Sequence, residues 1–275
     1  MEKIREPAVS GQFYLSDKEE LKSMIEGFMQ NARKIAPKPI GIISPHAGYE
    51  FSGQTAAHAY KAISNQKFGT FIIIGTNHSG DETSISMKDF MTPLGTAKND
   101  LEFCRELEKL GTKVDEQEHA FEHSIEVQIP FLQTMFKNFK IVPIAASFKD
   151  YKECKEFAER VFKTIKKLKR KVCIIASGDF THYGSSYNYL PFEPSRSKIY
   201  AVDKKAMDFI SELKAKEFFD YARNTTICGI SAFSASIEIC KMLGAKKAEL
   251  LNYSNSGDAS KEFESCVSYA SFVIE

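Results

Sequence analysis

The chain has 275 residues, of which 43% are hydrophobic and 27% charged, as is typical of a globular protein that needs no disulfide or metal staple. Lys and Arg number 37 against 36 Asp and Glu, a balance that argues against nucleic acid or an anionic membrane as the main partner. The six cysteines lack C-x-x-C spacing, and the sequence has neither an apolar signal segment nor a membrane-length apolar run. We therefore predict a reduced, cytoplasmic protein without a membrane span.

The first predicted element is an extended arm over residues 1–16, with a turn at Ser10-Gly11. A helix is expected to begin at Ser16, because Glu19, three residues later, completes a capping box. Apolar residues then recur at helical spacing through the next three turns.

Apolar runs and helical stretches alternate along the rest of the chain. The runs that predict strands cover residues 40–44, 70–75, 141–146 and 172–177. Helices are expected over residues 53–64, 99–110, 122–136, 150–168, 197–222 and 228–243. Polar and apolar residues alternate over 83–97, which predicts an added hairpin, and two closing strands are expected at 248–254 and 265–274.

The composition of the strand candidates indicates the fold class. Near-continuous Ile and Val runs are typical of strands that are buried on both faces. Because these runs alternate with helices, they predict a mostly parallel central sheet with helices on both sides. No internal repeat or linker-like tract divides the sequence. We therefore expect an α/β protein, a single-domain α/β/α sandwich over residues 1–275.

Three of the predicted strands end in short, glycine-containing loops that carry histidine. His46 follows the first strand, His78 the second, and Asp179 and His182 the fourth. Ligands of open α/β sheets bind beyond the carboxyl ends of the strands. His46 and His78 are 32 residues apart (78 − 46), about one βαβ unit, and their imidazoles converge if the two strands are neighbours. Because imidazole is a ligand for Zn, Fe, Cu and Ni, we expect a metal site at this edge.

Two other motifs suggest hydrolytic chemistry. The stretch from His119 through Glu122 to His123 fits the H-x-x-E-H pattern of inverzincin metalloproteases. We prefer to interpret it as an acidic, solvated helix start, because the protease pattern leaves the strand-end histidines unused. Ser177 and Ser44 raise the question of a serine nucleophile, but the sequence has no G-x-S-x-G elbow, which argues against a serine hydrolase.

Cys228 lies just before the helix predicted at 228–243, and Thr225 or Thr226 is a candidate cap for that helix. A helix N-terminus lowers the pKa of a thiol and favours the thiolate that binds metals. A free cysteine is more often a small buried hydrophobe, which is the preferred interpretation of Cys228 taken alone. Beside His46 and His78, however, it would complete a His₂Cys site.

The motifs together resemble the Memo family, which is related to component B of the AmmeMemoRadiSam gene system. The matching segments are REPAVSGQFY, PHAGYEFSGQTAAHAY, IIIGTNHSG, EHSIEVQIPFL, ASGDFTHYG, NTTICG and VSYASFVI. They follow one another from residue 5 to residue 274, so the resemblance covers nearly the whole chain. Similarity of the Memo family to class III, non-heme-iron extradiol dioxygenases implies the same α/β/α sandwich and a pocket at the strand ends.

The resemblance also implies roles for single residues. His46 and His78 match the metal-ligand positions, and Cys228 stands where those dioxygenases have a glutamate. His123, Asp179 and His182 match residues that orient substrate and move protons. The expected metal is iron or copper, with zinc as a third option, because a thiolate is softer than a carboxylate. Oxygenase chemistry is not inherited with the fold, since fold does not fix function.

Two functions from different classes remain open. One is a redox or oxygenase-like metal protein that acts on a small molecule or peptide. The other is a non-catalytic module that binds a peptide or phosphopeptide in the same pocket. The resemblance further implies partnership with an AMMECR-type protein and a radical-SAM enzyme.

Overall fold

The computed structural model describes residues 3–35 and 38–275. The strands are β1 (Ile4–Arg5), β2 (Gly41–Ser44), β3 (Thr70–Thr76), β4 (Ser84–Ile85), β5 (Asp89–Thr92), β6 (Gly95–Asn99), β7 (Lys113–Val114), β8 (Lys140–Ala146), β9 (Val172–Ser177), β10 (His182–Tyr183), β11 (Ala248–Asn255) and β12 (Cys266–Ile274). The helices are α1 (Lys18–Asn31), α2 (Tyr49–Ile63), α3 (Leu101–Lys109), α4 (Glu116–Ala120), α5 (His123–Glu126), α6 (Ile129–Met135), α7 (Tyr151–Leu168), α8 (Arg196–Ser211), α9 (Ala215–Ala222), α10 (Ile230–Met242) and α11 (Gly257–Ser260). None of these helices has both the length and the apolar character needed to cross a membrane.

The central sheet runs in the order β1-β5-β6-β8-β3-β9-β2-β12-β10. The strands from β6 to β2 in this order are mutually parallel, whereas β12 pairs antiparallel with β2, β10 and β11. The short β4 lies beside β8, and β7 beside β4. The predicted α/β fold with a mostly parallel sheet is therefore confirmed.

Side chains of β3 alternate between two separate apolar layers. Phe71 and Ile73 belong to the layer that α1, α2 and α6 cover. Ile72 and Ile74 belong to the opposite layer, under α3, α7 and α10. Successive residues of a strand point to opposite faces, so a strand buried on both faces must be apolar throughout. The near-continuous isoleucine run is the local cause of the α/β/α sandwich.

The strands that precede His46 and His78 are not neighbours, because β9 lies between β2 and β3. The expectation that these two strands are adjacent is therefore wrong. The two histidines nevertheless approach each other, since parallel strands all end at the same edge of the sheet. Asp179, two residues beyond the end of β9, accepts a hydrogen bond from the His46 amide at the same edge.

The N-terminal region confirms the predicted turn but not the predicted cap. Gly11 has a φ of +79° and donates from its amide to the carbonyl of Tyr14 at 2.7 Å. Helix α1 begins at Lys18, and Asp17 caps it by accepting from two backbone amides at 2.9 Å. A start at Ser16 was wrong because the adjacent carboxylate is an equally strong cap. Residues 1 and 2 of the predicted arm lie outside the described residues.

Two long helices that were predicted are broken in the structure. The stretch 122–136 divides into α5 and α6, and 197–222 divides into α8 and α9 around Leu213, which has a φ of +55°. Helix α2 begins at Tyr49, four residues before its predicted start. The hairpin predicted at 83–97 is formed by β5 and β6, while β4 pairs with β8 instead.

Candidate metal centre

A cavity of ≈ 560 Å³ opens at the carboxyl ends of the parallel strands. It is lined by Phe13, His46, Ala47, Gly48, Phe51, His78, His123, Asp179, His182, Tyr187, Ser256, Ser265, Val267 and Tyr269. The cavity therefore contains five of the six residues that the sequence nominates for the site. The sixth, Cys228, contacts two of them, His46 and Asp179, from a neighbouring loop.

Three imidazoles meet at the floor of this cavity. The ring centres of His46 and His78 are 5.1 Å apart, as are those of His46 and His123, and His78 stacks on His123 at 4.7 Å. One ring nitrogen from each histidine lies within 4.8 Å of the other two, a spacing at which one ion can contact all three. His123 was predicted to orient substrate and move protons. Its position beside His46 and His78 means that it can also be a metal ligand.

His46 is held rigidly where β2 ends. Its backbone amide donates to the Asp179 carboxylate at 2.8 Å, and its Nδ1 lies 3.3 Å from the hydroxyl of Ser177. Only 2% of His46 is exposed. Burial and the neighbouring His78 lower the pKa of His46 to about 3, so the ring is neutral and can act as a ligand at physiological pH.

His78 is oriented by a buried carboxylate. Its Nδ1 lies 3.0 Å from Glu122 Oε1, and its backbone amide donates to Glu122 Oε2 at 2.6 Å. Burial acts to raise the pKa of Glu122, but hydrogen bonds from His78 and from the Ser124 amide outweigh it and lower that pKa to about 2. The carboxylate is therefore ionised and acts as an acceptor only.

His123 begins α5, directly after Glu122. Its ring packs against Phe13 of the N-terminal arm, with the ring centres 4.8 Å apart. Burial, followed by the nearby His46, lowers the pKa of His123 to about 4. Like His46, it is neutral at physiological pH and offers a lone pair to an ion or a proton.

The loop that carries Cys228 approaches the end of β9 unusually closely. A Cβ on Gly178 would lie 2.5 Å from the Cα of Gly229, so only glycine permits this approach. The Cys228 sulfur lies 3.3 Å from His46 Nε2 and accepts from the Asp179 amide at 3.1 Å. It does not join the group of three imidazoles.

The expected influence of a helix N-terminus on Cys228 is not observed. Burial, and then the charge of Asp179, raise the pKa of this thiol instead of lowering it. Helix α10 begins at Ile230 without a side-chain cap, and Thr226 instead exchanges hydrogen bonds with His182. Binding of a metal by this sulfur as thiolate must therefore displace the thiol proton, which is released to solvent.

Asp179 and His182 line the other side of the cavity. Burial raises the pKa of Asp179, although His182 and the His46 amide act to lower it. Nδ1 of His182 lies 3.0 Å from the carbonyls of Phe180 and Thr226. Carbonyls only accept, so Nδ1 of His182 is the donor in these contacts.

The protease pattern is not realised as a site. His119 is wholly buried in α4, and it is not among the cavity residues. The break at Phe121 separates it from His123 in α5. The preferred alternative, an acidic and solvated helix start, is also wrong, because Glu122 and Glu126 are buried.

A family model described as Memo-like protein matches residues 5–273. The chain belongs to the Memo-like family. A MEMO1 family protein of Methanococcus vannielii is 41% identical over 293 residues, which covers 99% of this chain and 100% of that relative. A MEMO1 family protein of Methanocaldococcus jannaschii is 39% identical, over 100% of this chain and 100% of that relative. A MEMO1 family protein of Pyrococcus abyssi is 38% identical, over 98% of this chain and 99% of that relative.

Two features of this Memo-like site escaped sequence reasoning. Glu122 was noted only as part of sequence motifs and was given no role in the site, whereas its carboxylate hydrogen-bonds to His78. Phe13 lies 33 residues before His46 (46 − 13), and no sequence motif gave it a role in the site. Only the folded path of the arm brings it against His123.

Proposed function

We propose that this chain is a metal-dependent redox protein that holds iron or copper with His46, His78 and Cys228, zinc being a third option. The observation that carries the proposal is the convergence of three imidazoles at the strand ends, with one ring nitrogen of each within 4.8 Å of the other two. The Cys228 sulfur, 3.3 Å from His46 Nε2, adds a soft donor. His123 is the competing third donor.

The donor set fits such a metal. Imidazole and thiolate suit iron, copper and zinc, whereas magnesium and calcium prefer oxygen ligands. No lysine or arginine is among the cavity residues in the described part of the chain, so no fixed cation repels a metal there. The low pKa of His46 means that this ligand requires no deprotonation near neutral pH.

Iron or copper would supply one-electron redox chemistry when bound. The chain supplies groups that can handle protons, because His182 and Asp179 both line the cavity and burial raises the pKa of Asp179. The aromatic side chains of Phe13, Phe51 and Tyr187 line the cavity and would exclude water around a bound substrate. Oxygenase-like chemistry is the reaction type that we propose.

The test is elemental analysis of untagged protein purified without oxygen. Wild type is expected to carry iron or copper, and His46→Ala to lose it. His58→Ala is the matched control, because His58 accepts from the Arg33 amide at 3.0 Å and lies outside the cavity. Equal metal content in wild type and His46→Ala would remove His46 from the metal site.

The rim of the cavity favours a second candidate, a non-catalytic peptide-binding module. Phe51 is 60% exposed although it lines the cavity, and Tyr187 is 39% exposed. Such aromatic side chains commonly anchor peptides. Thermal-shift measurements separate the two candidates. Stabilisation by peptides that persists in EDTA, with no stabilisation by iron, copper or zinc in buffer without EDTA, would favour the binding module.

A further inference from the structure

The bond between Glu122 and His78 assigns the proton on that imidazole. The Glu122 side chain has no exposure to solvent. Its Oε1 accepts from the Ser124 amide at 2.8 Å, and its Oε2 accepts from the His78 amide at 2.6 Å. Both oxygens are thus fixed as acceptors by backbone groups that can only donate. Across the 3.0 Å to Oε1, Nδ1 of His78 must therefore be the donor.

For His46, a hydroxyl group in place of a carboxylate is the acceptor that assigns the ring proton. The Ser177 O–H donates to the carbonyl of Ser124 at 2.5 Å. A serine has a single proton to donate, so its oxygen can only accept from Nδ1 of His46 at 3.3 Å. Nδ1 of His46 therefore carries a proton too.

The orientation of Ser177 is itself fixed by Gln128. The Gln128 amide nitrogen donates to the carbonyl of Pro45 at 2.9 Å and to Ser177 Oγ at 2.8 Å. Its amide oxygen accepts from the Tyr60 hydroxyl at 2.7 Å. Because a carbonyl cannot donate, the Gln128 amide has one permitted orientation, and Ser177 is left one permitted direction for its proton.

We infer that Glu122 and Ser177 are positioning residues that fix His78 and His46 as Nδ1-protonated imidazoles before a metal arrives, leaving Nε2 of each as the ligand atom. The role of these residues in metal binding rests on the proposed function, whereas the assignment of the tautomers does not. The two devices are chemically different, since one is a carboxylate and the other a hydroxyl with a committed proton. Both ligands therefore reach the metal without rotating or exchanging tautomers.

Presetting the ligand atoms affects affinity. A ligand that is already oriented loses less entropy on binding. Hydrogen-bond partners of metal-binding histidines commonly contribute about 10- to 100-fold to metal affinity. Loss of either positioning residue should weaken zinc binding by about that factor, even though neither side chain touches the metal.

The first measurement reads the tautomers directly in metal-free protein. The full chain is labelled with ¹⁵N-histidine, kept in EDTA at about pH 8, where imidazole is ordinarily neutral, and studied by long-range ¹H–¹⁵N correlation. Wild type should show His46 and His78 protonated at Nδ1. In Glu122→Gln the new amide N–H₂ faces another donor, either a backbone amide or Nδ1 of His78. His78 alone should then populate both neutral tautomers. Ser177→Ala should release His46 alone.

Two control variants match the substitutions. Glu116→Gln changes a carboxylate that also accepts from one side chain and one amide, those of Ser86 and Met87, at 2.7 Å each. Ser44→Ala removes a buried serine that is the register partner of Ser177 at the neighbouring strand end. Neither control should change the tautomer of His46 or His78.

The second measurement is the affinity for Zn²⁺, a redox-inert probe, by competition with a chelator. Glu122→Gln and Ser177→Ala should each bind about 10- to 100-fold more weakly than wild type, and the controls should bind equally. Unchanged tautomers in both variants, or a wild type protonated at Nε2, would overturn the inference. So would altered tautomers with unchanged affinity.

The outcomes also separate this inference from the proposed function. If wild type binds no metal, the proposed function fails while the tautomers in EDTA still decide the assignment. If Glu122→Gln does not fold, Ser177→Ala removes only one hydroxyl and gives the decisive spectrum. If wild type binds zinc and both variants bind it equally well, the metal site stands and the positioning role is wrong.

Discussion

The guanidinium of Arg5 is ion-paired with the carboxylate of Glu126, and their side chains are only 3% and 0% exposed. Arg5 also donates to the carbonyls of His119 at 3.0 Å and Glu122 at 2.9 Å. The Glu126 carboxylate accepts further hydrogen bonds from Ala8 N, Val9 N and Tyr14 Oη. The pair therefore fastens the N-terminal arm to the segment that carries Glu122 and His123.

Arg5→Met should lower the free energy of unfolding by about 3–5 kcal/mol, because it leaves a buried carboxylate without its countercharge. Urea denaturation measures the change. Arg33→Met is the control, since Arg33 pairs with Glu249 at the surface, and such pairs contribute about 0–1 kcal/mol. Equal decreases in the free energy of unfolding of the two variants would show that the buried ion pair contributes no more to stability than the surface pair.

The metal-free protein should lose stability on acidification. Burial, with neighbouring histidines, lowers the pKa of His46 to about 3 and of His123 to about 4, and burial lowers the pKa of His119. In the unfolded chain these groups titrate near ~6.5, so below that pH the unfolded state binds more protons. The free energy of unfolding should therefore fall from about pH 6.5 towards pH 4, by up to about 1.4 kcal/mol per pH unit for each histidine.

Urea unfolding in EDTA at a series of pH values measures this slope. The raised pKa of Asp179 works in the opposite sense, because its contribution is present at low pH and lost as pH rises above its ordinary value of 3.8. His119→Gln removes one of the three histidines without touching the cavity and should reduce the slope. A flat profile between about pH 6.5 and 5 would contradict the assignment of neutral buried histidines.

Cobalt(II) should distinguish the two candidates for the third donor. If Cys228 binds the metal, the cobalt protein absorbs in the near ultraviolet through thiolate-to-metal charge transfer, and Cys228→Ser loses that band while His123→Ala keeps it. Because burial and Asp179 raise the pKa of this thiol, binding releases a proton, so wild-type affinity should rise with pH more steeply than that of Cys228→Ser. Absence of the band in wild type would assign the third position to His123.

Gly178→Ala should lower the free energy of unfolding by about 1–3 kcal/mol, because its Cβ would lie 2.5 Å from the Cα of Gly229 and force two loops apart. Gly27→Ala is the control, since nothing lies within 4 Å of a Cβ there and the residue is inside helix α1. That change should raise stability by about 0.5–1 kcal/mol. Thermal unfolding measures both changes. If Gly178→Ala left the free energy of unfolding unchanged, the two loops would be able to move apart without cost.

Much of this fold is local in origin, and that part was predictable. The isoleucine runs of β3 and β9 fix strands buried on both faces, and their bounds were predicted to within one residue. The division of 122–136 and 197–222 was not predicted, because helical spacing continues through both breaks. Leu213, a residue with no preference for positive φ, breaks the second stretch where packing demands a turn.

The site was predictable where residue type and strand position coincide. His46, His78 and Asp179 each lie two residues beyond the end of a parallel strand, so their convergence depends only on parallel strand ends, whereas His182 lies in the short β10. The role of Glu122 depends on a contact with His78 across 44 residues, and Phe13 reaches the site along the arm. Such contacts depend on tertiary packing, which no local pattern encodes.

The position of β12 has a consequence for biosynthesis. β2, whose end presents His46, pairs on one side with β9 and on the other with β12, where Ile43 lies opposite Phe272. During translation both partners emerge long after β2, and β12 emerges last of the three. A ribosome-bound chain thus holds an unpaired apolar strand until Cys266–Ile274 has left the exit tunnel, and such strands invite association with other chains. Because His46 of the proposed metal site lies at the end of β2, we expect metal loading to follow that late pairing and not to accompany synthesis.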